Sequence, residues 1–216
     1  VVEGPAIYRS TANDSCAKQD VAEANRILDE AGWARGSDGV RAKDGVRISI
    51  LYQTSTNAVR QDTQAFLKEM WKAIGVETEL RNISASVFFG GDLASPDTYQ
   101  KFYTDIEMYT NGFSGTDPET YMSNWTCSEM AQKANKWGGN NMPRWCNPDY
   151  DKLSAEMAET APLEDRIRLV KQMNDMLMQD YAMIPLIYRG SVSGKANSLG
   201  GVWMNGWDAE TWNIAD

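Results

Sequence analysis

Hydrophobic positions along this chain alternate between a spacing of two and a spacing near 3.6, and each change of spacing marks an element. Val21, Ala24, Ile27, Leu28 and Ala31 recur at helical intervals. Asp20 precedes them with Glu23 three residues on, the capping-box spacing, and Gly32 supplies the stop. Residues 33–45 contain two turn signals, Ser37-Asp38-Gly39 and Lys43-Asp44-Gly45, and predict a short hairpin. Residues 46–52 alternate and are rich in β-branched side chains, so they predict a strand, with a polar loop over 53–57. Val59, Phe66, Leu67, Met70, Trp71 and Ile74 make one apolar stripe of a helix over 58–74, closed by Gly75. Residues 76–83 alternate again. Strand, helix and strand within about 38 residues form a βαβ unit, whose strands lie parallel.

The stretch 105–125 organises the second half. Ile106, Met108 and Thr110 share one strand face, with Glu107 and Tyr109 on the other. The pattern breaks at 111–115, where Gly112 and Gly115 allow unusual backbone angles, and restarts at the helix-entry pair Asp117-Pro118. A strand that empties through a glycine-rich turn into a helix start exposes backbone N–H groups at a sheet's carboxyl edge, where open α/β proteins bind ligands. The same residues also describe an ordinary strand-to-helix turn. If the two strands run alike, the 53–57 loop opens on the same edge.

Around this stretch, residues 84–91 predict a short helix or aromatic loop with Phe88 and Phe89, and Pro96 predicts a helix to about Tyr103. Pro148 opens a helix with Tyr150, Leu153 and Met157; Pro162 opens a longer one striped by Leu163, Ile167, Val170, Met173 and Leu177. Helical spacing assigns the methionines of 173–183 to core packing rather than to a soft-metal site. Residues 183–188 predict a short strand, with Pro185 at an edge or start. Trp203, Trp207 and Trp212 lie in an aperiodic tail and are expected to pack on a surface outside the chain.

Composition narrows the chemistry. The 216 residues carry 21 basic and 30 acidic side chains, a net charge of −9, and no Lys/Arg cluster reverses that sign locally, so nucleic acid is not an expected partner. Histidine is absent, which removes Ser-His-Asp and Cys-His catalysis and His-ligated zinc. No stretch approaches the ~20 apolar residues of a membrane span. The chain opens at Val1 with no initiator Met and no basic-then-apolar leader, which predicts a processed protein or part of a larger one. Cys127 and Cys146 flank an irregular segment where a covalent bridge would contribute about 3 kcal/mol and imply an oxidising compartment. The alternative is a pair of unbridged thiols, and Cys16 is left over either way.

Several segments together resemble the C-terminal lobe of the solute-binding proteins that serve peptide/nickel/opine-type ABC importers. The matching pieces are residues 24–33 with Gly39 and Asp44-Gly45, the helix end at 73–76, and residues 102–108. They continue with Thr116-Asp117-Pro118, residues 145–153 from Trp145 to Leu153, residues 166–180, and Ile184-Pro185-Leu186. The resemblance implies an α/β lobe of the periplasmic-binding-protein type II kind, a mixed sheet flanked by helices, spanning 1–216 as one domain. Residues 1–19 and 191–216 would then pack against, or lead to, a missing N-terminal lobe. It also implies an extracytoplasmic location, no catalysis, no cofactor, and two partners: a small-molecule or peptide ligand and a membrane ABC permease. Cys127 and Cys146 fall where some members carry a lobe-local disulfide. Peptide-binding members place an aspartate in the turn before the Asp-Pro pair, where this chain has Ser114, and a hydroxyl lacks the charge-assisted bond to an ammonium group. That departure leaves room for opine, sugar-phosphate or polyol-like solutes.

The expected ligand-facing residues are Asn111, Gly112, Phe113 and Ser114 of the turn, Trp125 and Trp145 as aromatic walls, and Thr54 in the first loop. Two other readings compete. One is a carboxylate-dependent, glycosidase-like hydrolase, although most Asp and Glu residues lie at helix caps or on polar faces. The other is a stand-alone partner-binding domain.

Overall fold

The computed structural model describes residues 5–112, 115–188 and 192–203. Helix α1, Val21–Glu30, starts as its capping chemistry requires, with the Asp20 carboxylate accepting from the Glu23 amide at 2.8 Å. The predicted hairpin follows as β1, Ala34–Arg35, and β2, Arg41–Lys43, with β3, Val46–Arg47, adding a third antiparallel strand. The buried Arg41 ties this small sheet to its surroundings. It donates to Asp29 and to the carbonyls of Trp33 and Ile74.

The βαβ unit forms as the periodicity requires. Strand β4, Ser49–Ser55, leads through helix α2, Ala58–Ala73, to β5, Glu77–Ile83, and β4 pairs with β5 in parallel. The loop expected at 53–57 is shorter than predicted. Gln53, Thr54 and Ser55 are buried strand residues, because the central strand of a parallel sheet is covered on both faces and pairs along its length. The inner stripe of α2 is rotated from the predicted one. Phe66 and Val59 point outward, 63% and 66% exposed, while the buried Gln64 faces the sheet and donates to the Tyr52 carbonyl at 2.8 Å. That hydrogen bond, with Trp71 packed on Tyr52 at 5.4 Å, outweighs apolar patterning at the interface. Gly75, at φ 87°, ends the helix in a conformation that suits glycine.

A short helix α3, Ala85–Phe88, precedes β6, Ile106–Met108, which pairs in parallel with the other edge of β4, giving the order β5-β4-β6. The helix expected from Pro96 to Tyr103 does not form. Residues 92–101 run as turns, with Phe102 at φ 45°, tied back where the Tyr99 amide donates to the Phe88 carbonyl and Lys101 to the Leu93 carbonyl.

Helices α4, Glu119–Ser123, α5, Pro148–Glu159, and α6, Leu163–Gln179, form the main apolar core. Met122, Tyr150, Met157, Leu169, Met173 and Leu177 are fully buried there, each worth roughly 1.5–3 kcal/mol of burial for the larger apolar side chains. The methionines at 173 and 176 serve packing, as their spacing implied. Tyr8 joins the same core and Asn13 donates to Asp175 at 3.0 Å. Tyr8 and Asn13 thus tie the start of the described chain to its own helices. The irregular loop between α4 and α5 is closed by a Cys127–Cys146 disulfide and organised by the buried Asn141, which donates to the carbonyls of Trp125, Thr126 and Trp145. Cys16 is free and exposed. Residues 183–188 form no regular element and pair with no strand among the described residues, and Ile184, Ile187 and Tyr188 are exposed, so the strand expected there does not form. Trp203 is exposed; Trp207 and Trp212 lie outside the described residues.

Candidate functional site

Because β4 and β6 run parallel, the connections that leave them open on one sheet edge. On the β4 side, Asn57 caps α2 by accepting from the Arg60 amide, and Thr56 is held where its amide and hydroxyl both donate to the Ile83 carbonyl. On the β6 side the chain passes through Tyr109, Thr110, Asn111 and Gly112 and reappears at Gly115, φ 85°. Asn111 turns its own side-chain oxygen back to accept from the Gly112 amide at 2.9 Å, a local bond that shapes the turn.

The far end of this turn is anchored. Asp117 accepts from the Glu119 amide at the start of α4, and Arg166 of α6 donates to both Asp117 oxygens at 2.8 Å and to Glu119 at 2.7 Å. The same guanidinium also donates to the carbonyls of Met157 and Thr160. The Arg166 hydrogen bonds, with the Glu119 amide, hold the Asp117 carboxyl below the usual carboxylate range despite partial burial. A planar fork with several fixed acceptors links the sheet edge to the helical core.

A small cleft opens beside the turn, with a volume of about 170 Å³. Phe89, Tyr99 and Tyr109 form its aromatic side. The exposed Thr110, Asn111 and Asn140 and the buried Met142 complete it. Tyr99 contacts Phe89 at 5.5 Å and Tyr109 at 5.3 Å, both tilted, the separation that ring pairs favour. Burial raises the Tyr99 and Tyr109 phenols, so both stay neutral.

Glu107 lies one pleat back on the strand face of Tyr109. Across the sheet, Arg81 donates to Gln53 at 3.2 Å and Gln53 donates to Glu107 Oε1 at 3.0 Å. Glu107 Oε2 is buried without a hydrogen-bond partner. Burial pushes this carboxyl up to about 8, and the Gln53 bond and the Arg144 charge only partly oppose it.

Of the residues expected to face a ligand, Asn111 lines the cleft and Gly112 adjoins it. Phe113 and Ser114 lie outside the described residues. Thr54 is fully buried and its hydroxyl donates to the Met108 carbonyl at 2.6 Å, so it clips β4 to β6 and offers nothing to a solute. Trp125, 2% exposed, is an inner member of the helical core beside Tyr121, not a wall. Trp145 packs edge-on to Tyr150 at 5.0 Å and donates its indole N–H to Asp180, which places it against that same core. Both rings leave the irregular loop to pack on the adjacent helices, Trp125 fully and Trp145 in part. Phe89, Tyr99, Tyr109, Asn140 and Met142 were not singled out as site residues. The aromatic pair at 88–89 and the placing of Tyr109 on the strand face opposite Ile106 are the available signals, but their meeting depends on loops without periodicity.

This parallel βαβ sheet, with its turns on one edge and a helical layer beside it, shares its fold with solved lobes of the type II periplasmic-binding-protein class. An oligopeptide-binding protein from Thermus thermophilus, solved with a pentapeptide, superposes with a TM-score of 0.68 at 24% identity, over 79% of this chain and 30% of that one. Residues 3–132 match the family described as bacterial extracellular solute-binding proteins, family 5 Middle, and the chain belongs to that family. Protein XP55 of Streptomyces lividans is 34% identical over 135 residues, 62% of this chain and 22% of that protein. An oligopeptide-binding protein of Lactococcus lactis subsp. cremoris is 36% identical over 84 residues, 36% of this chain and 14% of that protein. The chain thus spans less than a third of the length of these relatives.

Proposed function

We propose that this chain is one lobe of a two-lobed, non-catalytic clamp that holds an oligopeptide-like or related small solute and delivers it to an ABC permease outside the cytoplasm. The observation that carries the reading is the shared carboxyl edge of β4 and β6, with the Asn111–Gly112 turn and the aromatic cleft side by side. The lobe-local disulfide accords with an oxidising, extracytoplasmic compartment. Enclosure by a second lobe would supply most of the affinity, since a cleft of this size covers only part of a solute. The hydrolase reading loses support because Asp117 and Glu119, the carboxylates that follow the turn, are committed to Arg166, Glu107 before it accepts from Gln53, and no carboxylate among the described residues lines the cleft. Mass spectrometry of small molecules that co-purify with the complete protein tests the proposal. A bound solute released unchanged supports it, and turnover of that solute by the protein overturns it.

A further inference from the structure

A second opening, with no lining residue in common with the cleft, lies between the end of α4 and one face of α5. It is a groove of about 380 Å³. Asp151, Ser154, Ala155 and Ala158 fall at i, i+3, i+4 and i+7 and so line it from the same side of α5. Two acids, Asp151 and Glu129, face it, and no basic residue does. Each acid has one oxygen held and the other open. Asp151 Oδ1 accepts from the Cys127 amide at 3.0 Å, and Glu129 Oε2 accepts from the backbone and side-chain nitrogens of Asn140 at 3.3 and 3.4 Å. Asp151 Oδ2 and Glu129 Oε1 accept no hydrogen bond, and neither acid has an ion-pair partner, among the described residues.

Ser154 supplies an independent sign of a ligand. It lines the groove at 9% exposure, and its hydroxyl has no hydrogen-bond partner among the described residues. The other hydroxyls of the lining are engaged: Ser123 donates to the Thr120 carbonyl, Thr126 to the Ser123 carbonyl, and Ser128 meets Thr126. A helical hydroxyl can bond to the carbonyl one turn back, as the Thr160 hydroxyl at the end of α5 does to Glu156, but Ser154 does not. A buried hydroxyl left unbonded costs free energy that a donor in the groove would recover.

The lining selects the ligand's chemistry. An anion would meet two like charges. Calcium takes six to eight oxygen ligands, and no group of three or more acidic, histidine or cysteine side chains among the described residues could hold a metal ion. An organic cation meets open carboxylate oxygens and a free hydroxyl, while Ala155 and Ala158 offer its stem an apolar floor. A guanidinium suits several acceptors on different elements, because it presents five donors in a plane and is more weakly hydrated than an ammonium. We propose that this groove is a second binding site, independent of the solute cleft, that takes the guanidinium group of an arginine side chain or of a small free cation.

Ligand-observed NMR titration of the complete protein tests this with three probes: N-acetylarginine methylamide, its uncharged citrulline counterpart of the same shape, and methylguanidinium. The arginine probe binds with a Kd of about 1 mM, as a few charge-assisted hydrogen bonds in an open groove allow, and the citrulline probe binds about 10-fold weaker or not at all. Asp151→Asn keeps the oxygen that Cys127 holds and weakens the arginine probe about fivefold or more; Ser154→Ala weakens it about threefold. Asp149→Asn removes an exposed acid of the same helix outside the groove and leaves the affinity unchanged. Should Asp151→Asn fail to fold, Ala158→Leu, made at an exposed residue, obstructs the groove and abolishes binding of the arginine probe. An arginine probe that binds tighter than methylguanidinium assigns the site to a protein side chain, and equal affinity assigns it to a free cation. Equal binding of the arginine and citrulline probes overturns the proposal, as does no binding at about 10 mM probe. So do binding that survives Asp151→Asn or Ala158→Leu, an equal loss in Asp149→Asn, and displacement of the arginine probe by calcium. These results leave the reading of the solute cleft untouched, since its lining is separate.

Discussion

Glu107→Gln isolates the one carboxyl of the sheet that folding keeps out of water. In the folded chain this group titrates near 8, against an ordinary value of 4.5. Between those values the folded state holds a proton that the unfolded state has released. Stability therefore falls as pH rises across that window, the opposite of the usual effect of a paired carboxylate. At 1.36 kcal/mol per pH unit the full difference is about 5 kcal/mol, and residual solvation of the partly buried side chain reduces it to about 3. Glutamine is neutral at every pH. Its oxygen can accept from Gln53 as Oε1 does, and its amide nitrogen can occupy the place of the protonated Oε2. In urea unfolding measured from pH 4 to 9, wild type and variant should agree within about 1 kcal/mol at pH 4. The variant should lead by about 3 kcal/mol at pH 8.5. The other titrating groups are common to both proteins and cancel in the difference. A difference curve that is flat between pH 4.5 and 8, or that favours wild type at pH 8.5, refutes the assignment of a buried, protonated Glu107.

Arg166→Ala should cost about 3 kcal/mol in urea unfolding, since it strands two carbonyls and two carboxylates that share one guanidinium, and Arg166→Lys should recover less than half because an ammonium cannot reproduce the fork. The Asp117 carboxyl is held low by Arg166, so the ion pair's contribution is present above the ordinary carboxylate value. The gap between wild type and Arg166→Ala should therefore narrow as pH falls through the lowered value. Replacing Cys127 and Cys146 by Ser should cost about 3 kcal/mol and make stability insensitive to dithiothreitol, whereas Cys16→Ser should change neither, as judged by unfolding with and without reductant. Gly75→Ala should lower stability by about 1–3 kcal/mol in thermal unfolding, because φ is 87° and an added Cβ would lie 2.8 Å from Arg41 Cγ.

Local chemistry and short-range periodicity determined much of this protein. The Asp20 cap, the Gly32 and Gly75 stops, the parallel βαβ unit from β4 to β5 and the proline-led helices α5 and α6 are all readable from neighbours in sequence. Each rests on residues within a turn or two of each other, or on a strand–helix–strand order with one sterically favoured solution. Tertiary structure decided where the buried polar groups go. Gln64 faces the sheet because a β4 carbonyl receives its amide, and Thr54 turns inward because the Met108 carbonyl does the same for its hydroxyl. It also decided that Trp125 and Trp145 pack on the helical core while Phe89, Tyr99 and Tyr109 gather at the sheet edge. Those placements depend on aperiodic loops crossing the strand ends, and a ring's burial is set by which distant surface reaches it first. The position of the candidate site was therefore legible from the strand-turn-helix pattern around Asn111, and the residues that line it were not.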